Sequence, residues 1–217
     1  MKKTIITFLV GLLIQQFAVA QGTTYLSSLS QNATGNLSVG SDSWMAADFI
    51  TGNNIGGYVL DSVQLGMASS SGNPTDFSVM IYNNGAFPVG VAPGNSLASL
   101  NGSANPSAAG IYTYAPASSL MLSPNTDYFI VLTAGTAVDN GAYNWRERAY
   151  PPSGIDNWRA GNGVLHSSNG TSAWSATPYL GIAQFSITAT AIPEPSWARL
   201  LLFGSGVLFY VRKRRST

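Results

Sequence analysis

The chain has no cysteine among its 217 residues, which excludes disulfides, thiolate metal ligands and cysteine nucleophiles. Only 9% of its residues are charged, far fewer than is usual in soluble domains. All lysines lie near the ends of the chain. Between residues 21 and 191, three arginines and eight carboxylates give a net charge of −5. This balance does not suit a phosphate backbone and argues against nucleic acid as a partner.

Residues suited to acid–base catalysis are scarce. His166, the single histidine, lies in a stretch of loop-like composition, and no Gly-x-Ser-x-Gly elbow accompanies it to support a serine triad. Glu147 lies between Arg146 and Arg148, whose charges favour the ionised carboxylate and do not suit a glycosidase acid. A surface charge cluster is the simpler interpretation. The aspartates are scattered without a calcium-loop pattern, so we expect no enzyme activity, cofactor or metal.

Helical periodicity is also missing between residues 21 and 191. Short β-branched and aromatic runs alternate there with glycine, asparagine, proline and serine, a composition typical of all-β domains. Residues 77–81 and 183–189 alternate apolar and polar side chains and predict strands. Residues 128–132 (YFIVL) would place apolar side chains on both faces of a strand and therefore predict a central strand that is covered on both sides. The predicted fold is an all-β, two-sheet sandwich of jelly-roll-like or immunoglobulin-like type.

Residues 58–65 switch the parity of their apolar side chains, from Tyr58 and Leu60 to Val63 and Leu65. Such a switch indicates a β-bulge or a bend. Five segments rich in turn residues are predicted to connect strands: residues 51–54 (TGNN), 71–74 (SGNP), 83–85 (NNG), 92–95 (APGN) and 139–141 (DNG).

Residues 1–20 have the organisation of a secretory signal peptide. Lys2 and Lys3 precede an apolar stretch, residues 5–14, and residues 18–20 (AVA) form a site for signal peptidase. A buried helix or an uncleaved anchor would explain the apolar stretch alone. The ordered combination favours a cleaved signal helix and an exported domain that begins at residue 21.

Three tryptophans in the final third of the domain raise a choice between core and ligand platform. Trp145, Trp158 and Trp174 could stack on sugar rings of an exopolysaccharide. Aromatic side chains also dominate the cores of charge-poor β-domains, and this is the simpler interpretation. Carbohydrate binding is therefore the alternative prediction for the domain.

Several motifs together resemble the choice-of-anchor R domain, a jelly-roll-like module of bacterial surface proteins. The resemblance covers most of residues 24–190 and implies no enzymatic activity and no catalytic residues. It departs at Ala47-Asp48, where an Ala-Gln pair is more usual. The matching stretches are residues 38–49 (SVGSDSWMAADF), 57–63 (GYVLDSV), 79–82 (VMIY), 97–102 (LASLNG), 110–114 (GIYTY), 122–132 (LSPNTDYFIVL) and 143–145 (YNW), followed by Trp158.

The C-terminal segment, residues 192–217, resembles the PEP-CTERM sorting signal. It has the triplet Pro193, Glu194 and Pro195 near its start and continues with an apolar run, residues 200–211, which Arg199 directly precedes. The segment then has a basic end formed by Arg212, Lys213, Arg214 and Arg215. The resemblance implies cleavage near the triplet by an exosortase, at the surface of a Gram-negative bacterium.

The apolar run itself is short for a permanent anchor. Twelve residues of helix span about 18 Å, against a hydrocarbon core of about 30 Å. A span of about residues 197–211, with Arg199 at the outer interface and residues 212–215 in the cytoplasm, comes closer to sufficient. A core helix would not need four terminal cations. We therefore expect a transient transmembrane helix behind an ectodomain of residues 21–191.

Overall fold

Fifteen strands and one 3₁₀ turn form the regular structure of the described residues, which are 22–87, 90–102, 105–170, 173–176 and 181–194 in this computed structural model. The strands are β1 Thr23–Ser27, β2 Gly35–Val39, β3 Trp44–Ile50, β4 Tyr58–Gly72, β5 Ser78–Phe87, β6 Gly90–Gly102, β7 Gly110–Pro116, β8 Leu120–Leu122, β9 Asp127–Thr133, β10 Gly141–Arg148, β11 Ser153–Gly154, β12 Arg159–Ser167, β13 Ser175–Ala176, β14 Ile182–Ala183 and β15 Phe185–Ala191, and the 3₁₀ turn is Val138–Asn140.

The predicted terminal helices lie outside the described residues. They are the signal peptide of residues 1–20 and the span of residues 197–211, with its basic end at residues 212–215. In the part of the chain that the structure describes, no helix has the length and apolarity needed to cross a bilayer.

All pairings are antiparallel and join the strands into one sheet that curls on itself. The main path runs β11-β1-β15-β4-β7-β6-β5-β9-β3-β12-β13. The 15-residue strand β4 pairs with β15 and then β10 along one edge, and with β8 and then β7 along the other. The all-β class predicted from the sequence is confirmed.

The core fills the inside of this curl. Residues 128–132 in β9 are all buried, as their double-sided apolar pattern predicted. Val79 and Ile81 of β5 are buried on the parity predicted for them. In β15, Phe185 and Ile187 are completely buried, and the polar Ser186 between them is also only 2% exposed. That strand is therefore covered on both faces, where the alternation predicted one polar face.

The predicted irregularity in residues 58–65 is a β-bulge. Leu60 pairs with Ala189 and Ser62 with Thr188, so that Asp61 is the extra residue of β4. Because of this extra residue, Tyr58 and Leu60 face the core together with Val63 and Leu65. The Asp61 carboxylate accepts a hydrogen bond from the Thr190 hydroxyl at 2.9 Å.

Two of the five predicted turns are wrong. Residues 83–85 and 92–95 lie inside β5 and β6, which pair with each other through register shifts. The Asn83 side chain accepts a hydrogen bond from the Asn95 amide at 2.6 Å, and Asn84 accepts one from Ala92 at 3.4 Å. The asparagines therefore satisfy amides at irregular positions of a hairpin, a role that local composition does not separate from a turn.

Deleting Asp61 should preserve the fold, because removal of the extra residue restores regular alternation and leaves Tyr58 and Leu60 on the same face as Val63 and Leu65. We expect a loss of about 2 kcal/mol, close to the contribution of the lost hydrogen bond and bulge geometry. Deleting Gln64, on the same strand, should prevent folding because it turns residues 58–63 to the opposite face relative to Leu65. Urea denaturation measures both, and equal losses from the two deletions would contradict the assignment of the bulge.

Candidate functional site

Two of the three predicted sugar-stacking tryptophans belong to the core. Trp145 in β10 is completely buried, and its indole Nε1 donates a hydrogen bond to the Gln184 carbonyl at 2.8 Å. Trp158 is 3% exposed and stacks on Tyr25 and Phe49, with ring centroids 5.0 and 6.0 Å apart. Neither ring presents a face to solvent, so the structure removes Trp145 and Trp158 as sugar platforms.

Trp174 is placed differently, on the outer face of the sheet. It is half-buried and packs against a small apolar cluster, which we call the outer cluster, centred on the buried Ala46, Phe129 and Val131. Trp44, Met80, Tyr82 and Leu165 are the other partly buried members. One face of the Trp44 ring is covered, because a Cβ on Gly170 would overlap that ring. Trp174 is therefore the one predicted platform that retains exposed surface.

A partly buried carboxylate, that of Asp48, lies on the same outer face. Asp48 follows Ala46 by two residues in β3, so the two side chains lie on the same face, and Asp48 is paired with Phe129 of β9. The register of β12 shifts between Ala160 and Val164, and a Cβ on Gly161 in this bulge would overlap the Asp48 carboxylate. Burial, and to a smaller extent the negative charge of Asp127, raises the pKa of Asp48 to about 6.

Sequence analysis missed this carboxylate, although two features mark it. One is a single aspartate in the otherwise apolar strand WMAADFI. The other is the sequence Gly161-Asn162-Gly163, since glycine within a strand often marks a bulge. Neither feature gives the burial, which depends on the pairing of β3 with both β9 and β12.

The two candidates for acid–base catalysis, His166 and Glu147, both lie in strands. His166 lies within β12, paired with Met45 and Ser175, which corrects the prediction of a loop. The Ser175 hydroxyl donates to the His166 backbone carbonyl at 3.4 Å. Glu147 accepts a hydrogen bond from the Gly181 amide at 3.0 Å through Oε2. Within the described residues, no three acidic or histidine side chains lie close enough to hold a metal ion.

The prediction that Arg146, Glu147 and Arg148 form a surface charge cluster is wrong for Arg148, which is buried. This side chain is 1% exposed, and its Nη1 donates to the Gln31 side-chain oxygen. The buried Nε and Nη2 of Arg148 have no hydrogen-bond partner among the described residues. Simple alternation does not explain the burial, because Arg148 shares the face of the half-buried Asn144 and Arg146, opposite to that of the buried Tyr143 and Trp145.

The chain leaves the folded domain through a clamp between the β3–β4 loop and the residue after β15. The Ile192 amide donates to the Gly57 carbonyl at 3.0 Å, and the Asn54 side-chain nitrogen donates to the Ile192 carbonyl at 3.0 Å. The same nitrogen also donates to the Gly57 carbonyl at 2.6 Å. Gly57 has a φ of 75°, a conformation that favours glycine.

The first two residues of the predicted sorting triplet follow this clamp directly. Pro193 and Glu194 are exposed, while Pro195 and Arg212, Lys213, Arg214 and Arg215 lie outside the described residues. Glu194 borders a groove that we call the exit groove. Its other lining residues are Tyr25, Asn53, Asn54, Ile55, Tyr58, Asp156, Asn157 and Ala191.

The exit groove is lined by aromatic side chains and by two residues with left-handed backbone conformations. Tyr25 and Tyr58 are buried around Trp158, with the Tyr58 and Trp158 rings 4.9 Å apart in an edge-on arrangement. Asp156 and Asn157 have φ values of 51° and 65°, so two successive residues other than glycine adopt left-handed backbone. Such strain is retained where the surrounding structure fixes it and is frequent at binding sites.

Substituting Asp48→Asn should stabilise the protein at neutral pH. At pH 7 the folded state partly buries a charge that the unfolded state leaves in water, whereas below the ordinary pKa of 3.8 the carboxyl is neutral in both states. We expect a gain of about 2 kcal/mol at pH 7 that disappears between pH 6 and pH 4. Urea denaturation between pH 4 and pH 7 measures the change in the free energy of unfolding, and Asp139→Asn, at an exposed aspartate, is the control. A loss of stability at pH 7 would contradict the proposed cause of the pKa shift.

The comparisons with known proteins gave no match, either to a protein-family model, to a curated protein or to a solved structure.

Proposed function

We propose that the protein is a non-enzymatic, exported surface or extracellular-matrix protein that is sorted and processed through its C-terminal segment. The observation that carries the proposal is the position of the first strand, β1, beside the last strand, β15, of the described residues. Thr23, at the start of β1, pairs with Ala189 near the end of β15. The predicted signal peptide and the predicted sorting segment therefore join the domain at the same end, and the triplet begins one residue after the Ile192 clamp.

In this proposal, signal peptidase and an exosortase are the processing enzymes. Signal peptidase removes residues 1–20, and the segment 197–211 holds the intermediate in the inner membrane. The exosortase then acts near Pro193, Glu194 and Pro195, and the domain reaches the cell surface or matrix of a Gram-negative bacterium. Exposed Pro193 and Glu194 support access by a protease, because prolines keep the segment extended.

We further propose that the curled sheet is a jelly-roll-like sandwich. Contacts across the core support two facing layers. Phe77, beside β5, packs edge-on against Tyr143 of β10 with ring centroids 4.9 Å apart. Phe49 of β3 and Tyr25 of β1 stack on Trp158. In this arrangement, the sheet would pass from one layer to the other at the neighbouring strands β4 and β7.

Replacing Pro193, Glu194 and Pro195 by alanine should block processing. In the source bacterium, we expect the variant to stay in the membrane fraction with residues 195–217 attached. Intact-mass spectrometry of the C-terminus measures this, and Ser216→Ala with Thr217→Ala is the control at the same end of the chain. Normal processing of the triplet variant would overturn the proposed sorting mechanism.

Carbohydrate binding is the second candidate, and Trp174 is the observation in its favour. Its half-buried ring packs against the outer cluster, of which Tyr82 is another partly buried member. The Asp48 carboxylate lies on the same face of β3 as Ala46 of that cluster and can accept hydrogen bonds from sugar hydroxyls. The proposed ligand is an exopolysaccharide, in keeping with display at the cell surface. This alternative no longer includes Trp145 and Trp158.

Trp174→Ala should weaken binding to any polysaccharide that the full chain retains in an affinity gel. Loss of one stacking ring corresponds to about a tenfold change in affinity. The control is Tyr150→Ala, which removes an aromatic ring that is 74% exposed outside the outer cluster. Equal retention of the two variants, both with unchanged melting temperatures, would exclude Trp174 as a platform.

A further inference from the structure

Exposed apolar side chains that are not part of the core lie at or next to the exit groove. Ile55 lines the groove and is 76% exposed. Ile155 precedes the groove residue Asp156, is 50% exposed, and donates its amide to the Tyr25 carbonyl at 2.9 Å. One exposed isoleucine therefore lines the aromatic-lined groove and a second is next in sequence to a lining residue, and exposed apolar surface often marks a contact site.

The chain itself places this surface close to the predicted membrane segment. Five residues, 195–199, separate Glu194 from the apolar run that begins at Leu200. Fully extended, they reach at most about 17 Å. The Ile192 clamp fixes the point from which this distance is measured. The N-terminal segment meets the same end of the domain, since β1 begins beside the end of β15.

We infer that this end of the domain contacts the lipid bilayer, with Ile55 and Ile155 in its interfacial region while the C-terminal segment is attached. The inference rests on the proposed membrane insertion of that segment. Both isoleucines would transfer exposed apolar surface from water into the interface, which is favourable. The short tether supplies the proximity that two side chains alone would not provide.

The charges at this end determine the kind of contact. Asp156 and Glu194 line the exit groove, and Asp127 lies opposite Ile50 at the adjoining end of β3. Arg159, the other strand partner of Ile50, is the one cation beside them in the described residues. Attraction to anionic headgroups is therefore not the driving force, and the contact is apolar and short-range.

The absence of cysteine permits a direct test with single labels. Ile55→Cys and Ile155→Cys variants of the full chain would carry an environment-sensitive nitrobenzoxadiazole dye. Ile111→Cys is the matched control, because Ile111 is 56% exposed and pairs with Gly66 in β4. Gly66 lies eight residues from the groove residue Tyr58, or about 26 Å along β4, so Ile111 is far from the exit groove. All three would be reconstituted in phosphatidylcholine vesicles, with and without phosphatidylglycerol.

We expect the labels at residues 55 and 155 to shift their emission to shorter wavelength, to be quenched by doxyl-labelled lipid and to be protected from aqueous iodide. The label at residue 111 should do none of these. The shift should persist without phosphatidylglycerol, as an apolar contact requires.

Vesicle flotation separates the failure of this inference from the failure of the proposed function. A chain that does not float with vesicles overturns both. A chain that floats while both labels stay open to iodide overturns the bilayer contact and leaves the membrane segment intact. Protection from iodide without quenching by doxyl lipid also overturns it, because the shielding partner would then be protein.

Discussion

The pairing of β4 on both edges is the constraint on which the rest of the structure depends. Its 15 residues need hydrogen-bond partners on two sides. They find β15 and β10 along one edge, and β8 and β7 along the other. A strand shared by so many partners forces the sheet to curl around the side chains that β4 points inward. The bulge at Asp61 keeps those side chains inward along the whole strand, so the core is continuous from Tyr58 to Met67.

Much of this architecture could be predicted from local patterns. The all-β class, the buried strand at residues 128–132 and the irregularity between Leu60 and Val63 all follow from the parity of apolar residues. Asn83 to Gly85 could not be placed in the same way, because asparagine and glycine suit both a turn and an irregular strand. Pairing with β6 and β9 decides the outcome, and β9 is remote in the sequence. The predicted loop around His166 is wrong for the same reason, since β3 and β13 hold it as a strand.

The candidate site shows a sharper limit. Residue type alone does not separate a tryptophan in the core from one that offers a face to a ligand, and Trp145, Trp158 and Trp174 have different surroundings in the same fold. Asp48 was missed because its burial arises from a bulge in a neighbouring strand. The exit groove likewise brings together four segments that are far apart in the chain, represented by Tyr25, Ile55, Asp156 and Glu194. In contrast, the triplet at residues 193–195 could be found by sequence because its parts are contiguous.

The Ile192 clamp also determines how the domain responds to mechanical load. Tension on the C-terminal segment reaches the bonds from Asn54 and to Gly57 first. It then pulls β15 away from β1 and β4, starting at its end. Hydrogen bonds in antiparallel pairs are perpendicular to the strands, so a pull directed away from the sheet breaks them one after another, as in unzipping. Under such a pull, the pairs at the C-terminal end of β15 separate first, before the pairs of β5, β9, β3 and β12 farther along the sheet.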